Sequence, residues 1–434
     1  MPALLDTLRA TVGAAHVLTG VELSPFVVEG RTPEAAVFPG KVEEVAAVVA
    51  QAAAAGVPVL PWGGGTGMAV GEPPPRAGIV LGMRRLARVI EHEPGDLTVT
   101  AEAGLTVDGL QETLRARGQW LSLDPPDGAR ATVGGLIAAN AAGPRRQLYG
   151  TVRDLLIGLT VVTAAGEVVR GGGKVVKNVA GYDLPKLFVG SWGTLGVVVD
   201  ATFKLRPRPD DERLIAVRFD RLKDCGAAVR ALLAGDLIPN AVEILDPTSA
   251  AGLGLDATAT LVVGFDGLRE QIEWQAAELA TLLSPLGGRD LEPLPAETWP
   301  RLATIGRDAF AEPAAVMTLS VLPTLVVDVM EQGASAARQR GLASAWTAHA
   351  GVGIVTGAIE AGREAATVAG ALTEWRAIAG AGGGHATLTW APLAVKSQVP
   401  VWDDAGAAGR IMQRIKAQLD PGNVLNPGRF VAGI

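Results

Sequence analysis

Residues 177–207 read KNVAGYDLPKLFVGSWGTLGVVVDATFKLRP. Within this run, Gly190-Ser191-Trp192-Gly193-Thr194-Leu195-Gly196 is a glycine-bracketed turn. The β-branched residues Val197, Val198 and Val199 follow, the run closes at Pro207, and Pro209 lies two residues beyond. This pattern predicts a strand entered through a tight turn. Two readings of the turn are open. It is a glycine bulge at a strand entry, or it wraps a flat ring system and binds the edge through main-chain groups.

Upstream, LLIGLTVV and EVVRGG flank Ala165-Gly166-Glu167, which predicts a hairpin. Residues 132–142 (TVGGLIAANAA) predict a tightly packed helix whose N-terminus, with Gly134 and Gly135, offers N–H groups to phosphate oxygens; close helix–sheet packing explains the same small residues. Residues 106–117 predict a helix capped by Thr106. The strand VPVLPW runs into Pro61-Trp62-Gly63-Gly64-Gly65-Thr66-Gly67. Successive glycines let backbone N–H groups converge on an anion such as a pyrophosphate; a plain glycine-rich turn is the other reading. The loop carries neither a G-x-G-x-x-G register nor a Gly-Lys-Ser/Thr ending, so it matches neither standard nucleotide fingerprint. Residues 43–55 are helical in composition, and Leu4, Leu5, Leu8 and Val12 share one helical face.

The 434 residues suggest two or three folding units, and 48% hydrophobic content supplies large cores. A net charge of −7 with interspersed signs argues against nucleic-acid binding. One cysteine, Cys225, excludes an intrachain disulfide and a cysteine-ligated iron–sulfur cluster. No stretch has the roughly 18 apolar residues of a membrane span, so the expectation is a cytoplasmic protein that meets a membrane only through partners. After residue 208 strands and helices alternate more evenly, predicting a second, α+β domain with an antiparallel sheet.

Three glycine clusters in this order carry a resemblance. The quoted run, with PWGGGTG, TVGGLIAANAAGP, YGTVRDLLIGL and LDPGNVLNPGRF, resembles PCMH-type flavoproteins of the vanillyl-alcohol-oxidase superfamily, and most narrowly the family of the FAD-binding E subunit of glycolate oxidase. The resemblance implies an α+β fold: a two-lobed PCMH-type FAD-binding domain at 1–208, an α+β cap or substrate domain at 209–395, and a C-terminal segment, 396–434, returning to the first. It implies that Pro61, Trp62, Gly63, Gly64, Gly65, Thr66 and Gly67 hold the FAD pyrophosphate, and that Thr132, Gly134, Gly135 and Asn140 line the dinucleotide path. By the same resemblance, Gly150, Thr151 and Asp154 would close the next loop. Gly193, Gly196 and Val198 would meet the flavin or adenine edge by main chain, and Asn426 would return near the isoalloxazine. The first glycine loop has no His or Cys, so noncovalent FAD is expected.

The implied activity is oxidation of a small 2-hydroxy acid such as glycolate, beside a catalytic flavin subunit and an iron–sulfur subunit. An electron-relay or structural subunit is the alternative, and a stand-alone sugar or alcohol oxidase a third. The run His349–Thr356 is similar to one in the catalytic D subunit and related D-2-hydroxy-acid dehydrogenases, but Val352 stands for the acid and Ile354 for the Asn. One His cannot hold a divalent ion, so no metal is expected. His385, after Gly382-Gly383-Gly384, is the candidate general base; packing beside a glycine turn is its ordinary explanation. Lys396 and Arg429 read as carboxylate binders or solvated cations, and Trp346, Trp375 and Trp390 as core.

Overall fold

Val45, Val48, Val49 and Ala52 follow the spacing of one helical face, and all four are buried on the helix Val42–Ala54. The computed structural model, which describes residues 1–76, 78–173 and 183–434, divides into two units. The first comprises Met1–Ala142, Thr151–Arg208 and Asp404–Ile434; the second comprises Gly143–Gly150 and Pro209–Asp403. The front of the quoted run, at 177–182, lies outside the described residues.

The first unit holds two main sheets. Strands β1 (Val17–Leu18), β2 (Ala35–Val37), β3 (Val59–Trp62) and β4 (Ile79–Gly82) form the order β1-β2-β4-β3, with β2-β4 and β3-β4 parallel. Every residue of β2 and β4 is buried, as a parallel sheet covered on its faces requires. The helices Pro2–Val12 and Val42–Ala54 supply Leu8, Val12, Val45 and Val49 to the core beside it.

The second sheet is antiparallel, in the order β5-β6-β10-β8-β9, from β5 (Val89–Glu93), β6 (Thr98–Glu102), β8 (Leu156–Val162), β9 (Val168–Gly172) and β10 (Val197–Lys204). The strand anticipated after Gly196 is thus its centre. β8 and β9 pair as the expected hairpin, with Gly166 at φ +80° in the turn. A short pair joins β7 (Gln119–Trp120) to β11 (Arg206–Pro207). Thr106 caps the helix Val107–Arg115 by accepting from the Gly109 N–H. Ile415 and Leu419 of the helix Ala407–Leu419 pack against the core of this sheet.

The second unit is built on one eight-stranded antiparallel sheet, so the α+β expectation holds. Its strands are β12 (Asp211–Phe219), β13 (Ala241–Leu245), β14 (Ala259–Gly267), β15 (Arg289–Leu294), β16 (Pro313–Ser320), β17 (Ser344–His349), β18 (Ile354–Glu360) and β19 (His385–Trp390), in the order β15-β12-β14-β13-β17-β18-β16-β19. Side chains alternate between faces. Val242, Ile244, Met317, Leu319, Trp346 and Val355 point into the larger core, which the helices Leu222–Ala234, Arg269–Leu283, Val326–Gln339 and Ala365–Ala381 complete. Trp299, Leu302 and Ile305 of the helix Thr298–Asp308 cover part of the opposite face.

Trp346 and Trp375 are core residues, 1% and 0% exposed, with ring centroids 4.4 Å apart. Among the described residues no helix is long and apolar enough to cross a membrane.

Candidate functional site

The strand β3 is fully buried at Val59 and delivers Pro61 and Trp62 to the rim of the glycine loop. Glycine at 63 and 64 is demanded by the neighbouring loop. A Cβ at 63 would lie 2.2 Å from Thr132 Oγ1, and one at 64 would lie 1.7 Å from the Arg130 carbonyl oxygen. Gly65 has φ +76°, a left-handed conformation that favours glycine. The N–H groups of Gly63, Gly64, Gly65, Thr66 and Gly67 donate to no protein acceptor among the described residues. Five consecutive unspent donors beside a sheet end are the chemistry of an anion-binding nest.

Thr132 caps the helix Val133–Ala139 and accepts from the Gly135 N–H at 3.3 Å. Gly134 sits where a Cβ would come 2.9 Å from Ala103 Cβ, so its role is close packing. Asn140 ends this helix in the left-handed conformation, φ 48°, and its buried Oδ1 has no hydrogen-bond partner among the described residues. The same helix end receives the third glycine turn: Gly190 N–H donates to Ile137 and Trp192 N–H to Ala138.

The C-terminal segment closes this cluster. Val59 N–H donates to the Val424 carbonyl, and Asn426 N–H donates to the Val59 carbonyl, so residues 424–426 run beside β3. Asn426 Nδ2 donates to the Trp192 carbonyl at 2.6 Å, while its buried Oδ1 has no hydrogen-bond partner among the described residues. A Cβ at Gly193 would touch Pro61 and Asn426, and one at Gly67 would lie 3.2 Å from the Trp192 ring. Residues 61–67, Thr132, Asn140, Gly193 and Asn426, four segments far apart in sequence, therefore meet.

Other expected residues serve locally. Gly196 packs on Phe188, and Val198 is half-buried in β10. Asp154 accepts from the Thr151 N–H at 2.8 Å and from its hydroxyl, a capping box on the helix Val152–Leu155. Gly150, at φ 76°, ends the helix Arg146–Tyr149 and belongs to the second unit.

Two buried cations, Arg429 and Lys416, hold the cluster together. Arg429 is 3% exposed and donates to the carbonyls of Met68, Val70 and Glu72, which fixes the chain just after the glycine loop. It is neither a solvated cation nor a free carboxylate binder. Lys416 Nζ donates to the Thr194 and Leu425 carbonyls and to Asp420 Oδ2. Burial pushes the Lys416 ammonium below the usual lysine range, and Asp420 opposes that shift. On a sequence the pair reads as an exposed i,i+4 contact, and no local signal marks it as buried. Lys396, also buried at 5% exposure, sits in the second unit.

In the second unit, His385 opens the edge strand β19 with its side chain 79% exposed, 4.0 Å from Asp403 Oδ2. That carboxylate is engaged by Arg376 and by the Ala386 N–H. His349 is differently placed. Directly opposite Glu243 across β13 and β17, its Nδ1 lies 2.8 and 2.7 Å from the two Glu243 oxygens. Burial raises the Glu243 carboxyl above its usual range, against the pull of His349 and Arg146. On the sequence His349 reads only as part of a lost metal run, because its carboxylate partner is 106 residues away.

Comparison with known proteins accords with this arrangement. A family model described as an FAD binding domain matches residues 33–172, and one described as the C-terminal domain of FAD linked oxidases matches residues 208–389 and 396–430. The glycolate oxidase subunit GlcD of Bacillus subtilis is 34% identical over 56% of this chain and 53% of its own length. D-2-hydroxyglutarate dehydrogenase of Xanthomonas citri is 40% identical over 46% of this chain and 43% of its own. A probable mitochondrial D-lactate dehydrogenase of Danio rerio is 33% identical over 60% of this chain and 54% of its own. The chain thus spans about half the length of these relatives.

Among solved structures, p-cresol methylhydroxylase with substrate bound superposes with TM-score 0.81 at 19% identity, over 100% of this chain and 96% of that one. An alkyldihydroxyacetonephosphate synthase gives 0.77 at 18% identity, over 99% and 86%. Both show the fold. The unspent N–H groups at 63–67 and the orphaned Oδ1 atoms of Asn140 and Asn426 suit a pyrophosphate and polar ring edges. With a PCMH-type fold, both domain matches and this fit, the chain belongs to the FAD-linked oxidases, and FAD is its cofactor.

Proposed function

We propose that the chain is an FAD-dependent oxidoreductase subunit that oxidises a small 2-hydroxy acid such as glycolate. The observation that carries the reading is the convergence of residues 61–67, Thr132, Asn140, Gly193 and Asn426 in one unit. The substrate class rests on the names of relatives: a glycolate oxidase subunit, D-lactate dehydrogenases and a D-2-hydroxyglutarate dehydrogenase. Residues 61–67 would hold the pyrophosphate through main-chain donors, and Asn140 and Asn426 would offer their free oxygens to the cofactor. No His or Cys stands in the glycine loop, so the cofactor is held noncovalently. Bound FAD supplies the two-electron acceptor for the alcohol carbon. His385 is the proton acceptor nominated by sequence, and its side chain is 79% exposed.

In this reading the chain is closest to the FAD-binding E subunit and works beside a catalytic flavin subunit and an iron–sulfur subunit. With a single cysteine it carries no cysteine-ligated cluster of its own, so electrons leave through a partner. The altered run His349–Thr356 favours a second reading, an electron-relay subunit without substrate oxidation of its own. The test is an anaerobic visible spectrum of the purified chain before and after adding glycolate and D-lactate. Bleaching supports the first reading, and an unchanged flavin supports the second. A colourless protein that takes up no added FAD defeats both.

A further inference from the structure

The peptide joining Gly64 to Gly65 has a glycine on each side. Rotation of Gly64 ψ and Gly65 φ can therefore turn it over with no Cβ in the way. The peptide is planar and trans, so the Gly65 N–H points opposite to the Gly64 carbonyl. Turned one way, it offers an anion a donor. Turned the other, it offers a carbonyl oxygen that repels one. A loop that is to hold an anion needs something to set the direction.

Arg130 is placed to set it. Its Nη2 donates to the Gly64 carbonyl at 3.3 Å. The neighbouring carbonyls are held by main chain: Trp62 accepts from the Met83 N–H, Gly65 from Met68 and Gly67 from Val70. A tight turn delivers Arg130. Asp127 is left-handed, φ 58°, and its carbonyl accepts from the Arg130 and Ala131 N–H groups at 2.8 and 2.7 Å. The turn sets the Arg130 carbonyl oxygen against Gly64, where a Cβ would come within 1.7 Å. Arg130 thus meets Gly64 with both main chain and side chain. Its charge is not spent on a carboxylate: among the described residues Arg130 has no ion pair, and it is the cation hydrogen-bonded to residues 61–67. Arg429, farther along the chain from this loop, is committed to the carbonyls of Met68, Val70 and Glu72. A guanidinium on the oxygen of a peptide polarises it and makes its N–H a better donor. That N–H, of Gly65, donates to no protein acceptor among the described residues.

We propose that Arg130 is a positioning residue for the pyrophosphate of FAD. Its guanidinium clamps the Gly64 carbonyl, so that the Gly65 N–H is turned to the anion, and its charge strengthens that donor. The inference rests on the reading that residues 61–67 hold the pyrophosphate. All of its parts lie in the first unit.

The test reads affinity and not turnover. The full chain is stripped of cofactor and titrated with FAD, followed by flavin fluorescence, at low and at high potassium chloride. Wild type is compared with R130A, R130K, R130Q and G65V. Riboflavin, which has the flavin without the diphosphate, is titrated in the same way, and ADP, which has the diphosphate without the flavin, is used as a competitor. R130A should weaken FAD by about 10–100-fold, the worth of a hydrogen bond to a charged group. ADP should weaken in the same proportion, and riboflavin should not change. R130K should restore part of the loss through its charge, and R130Q part of it through its amide donor. High salt should narrow the gap between wild type and R130A, because an exposed charge is screened, and should leave the gap between R130Q and R130A as it was.

Wild-type FAD affinity in R130A, with affinity lost in G65V, overturns the clamp and leaves the reading of the loop intact. Wild-type affinity in R130A and G65V together overturns the reading of residues 61–67 as the pyrophosphate site. A loss in R130A that neither R130K nor R130Q restores overturns the clamp, and so does a loss that extends equally to riboflavin, because packing and not the guanidinium then carries it.

Discussion

Lys416 Nζ donates a 2.8 Å hydrogen bond to the Thr194 carbonyl, tying the C-terminal helix to a turn 222 residues earlier. The ammonium is buried with Asp420, whose two oxygens also accept from the Val424 and Leu425 N–H groups. Lys416→Met leaves the carboxylate without its cation. Breaking one side of a buried pair costs about 3–5 kcal/mol. Urea unfolding should show a loss of that size, and FAD should wash out more readily because Thr194 lies in the third glycine turn. A loss under about 1 kcal/mol would assign the pair the weight of an exposed ion pair. Adding Asp420→Asn should recover part of the stability, because the uncompensated charge is gone.

The glycine loop allows a sharper test of cofactor retention. Gly64→Ala places a Cβ 1.7 Å from the Arg130 carbonyl oxygen, so the two loops must part. Gly65→Val adds a β-branched residue at φ +76°, a conformation such residues rarely adopt. Both variants should lose FAD through a gel-filtration column that wild type survives, read as the ratio of visible to ultraviolet absorbance. Full occupancy in both would remove this loop from the site.

Gly333 in the second unit sets two known effects against each other. Alanine is better than glycine in a helix interior by about 1 kcal/mol. A Cβ here would come 2.2 Å from the Trp346 ring, and overpacking a core costs about 1–3 kcal/mol. The clash outweighs the propensity, because Trp346 is held by Trp375 and by its Nε1 bond to Ser344. Gly333→Ala should lower the melting temperature. A rise would mean that the indole has room to turn.

Asp200 carries a pH dependence. Burial beside Thr160 raises its carboxyl above the usual aspartate range, although the Thr160 hydrogen bond and Arg170 pull it down. A carboxyl raised on folding favours the native state below the unfolded value and loses that contribution as pH rises through the folded value. Asp200→Asn keeps the neutral form throughout. It should therefore exceed wild type in urea midpoint near neutrality, with the gap closing as pH falls toward about 3. A gap that stays constant over that range argues against this titration.

Legibility differed by kind of interaction. The helix Val42–Ala54, the hairpin around Gly166 and the strand after Gly196 were readable, because period and turn chemistry are local. The glycine loops were readable as motifs, but the demand for glycine at 63 and 64 comes from Arg130 and Thr132, which no local pattern reveals. The transfer of residues 143–150 to the second unit was also hidden. It depends on Arg145 pairing with Glu212 and Tyr149 donating to Asp266, contacts 67 and 117 residues long, with no change of composition at either end. The Glu243–His349 pair was invisible for the same reason.

The bond from Asn426 to the Trp192 carbonyl spans 234 residues. A ribosome adding about 5–20 residues per second delivers Asn426 roughly ten to fifty seconds after Trp192. Through that interval the turn at 190–196 exists without the side chain that fastens it, and Val59 without Val424. Residues 209–403, the main part of the second unit, are made in between. The pocket is thus completed late: residues 424–426 reach it only after residues 209–403 of the other unit have been translated.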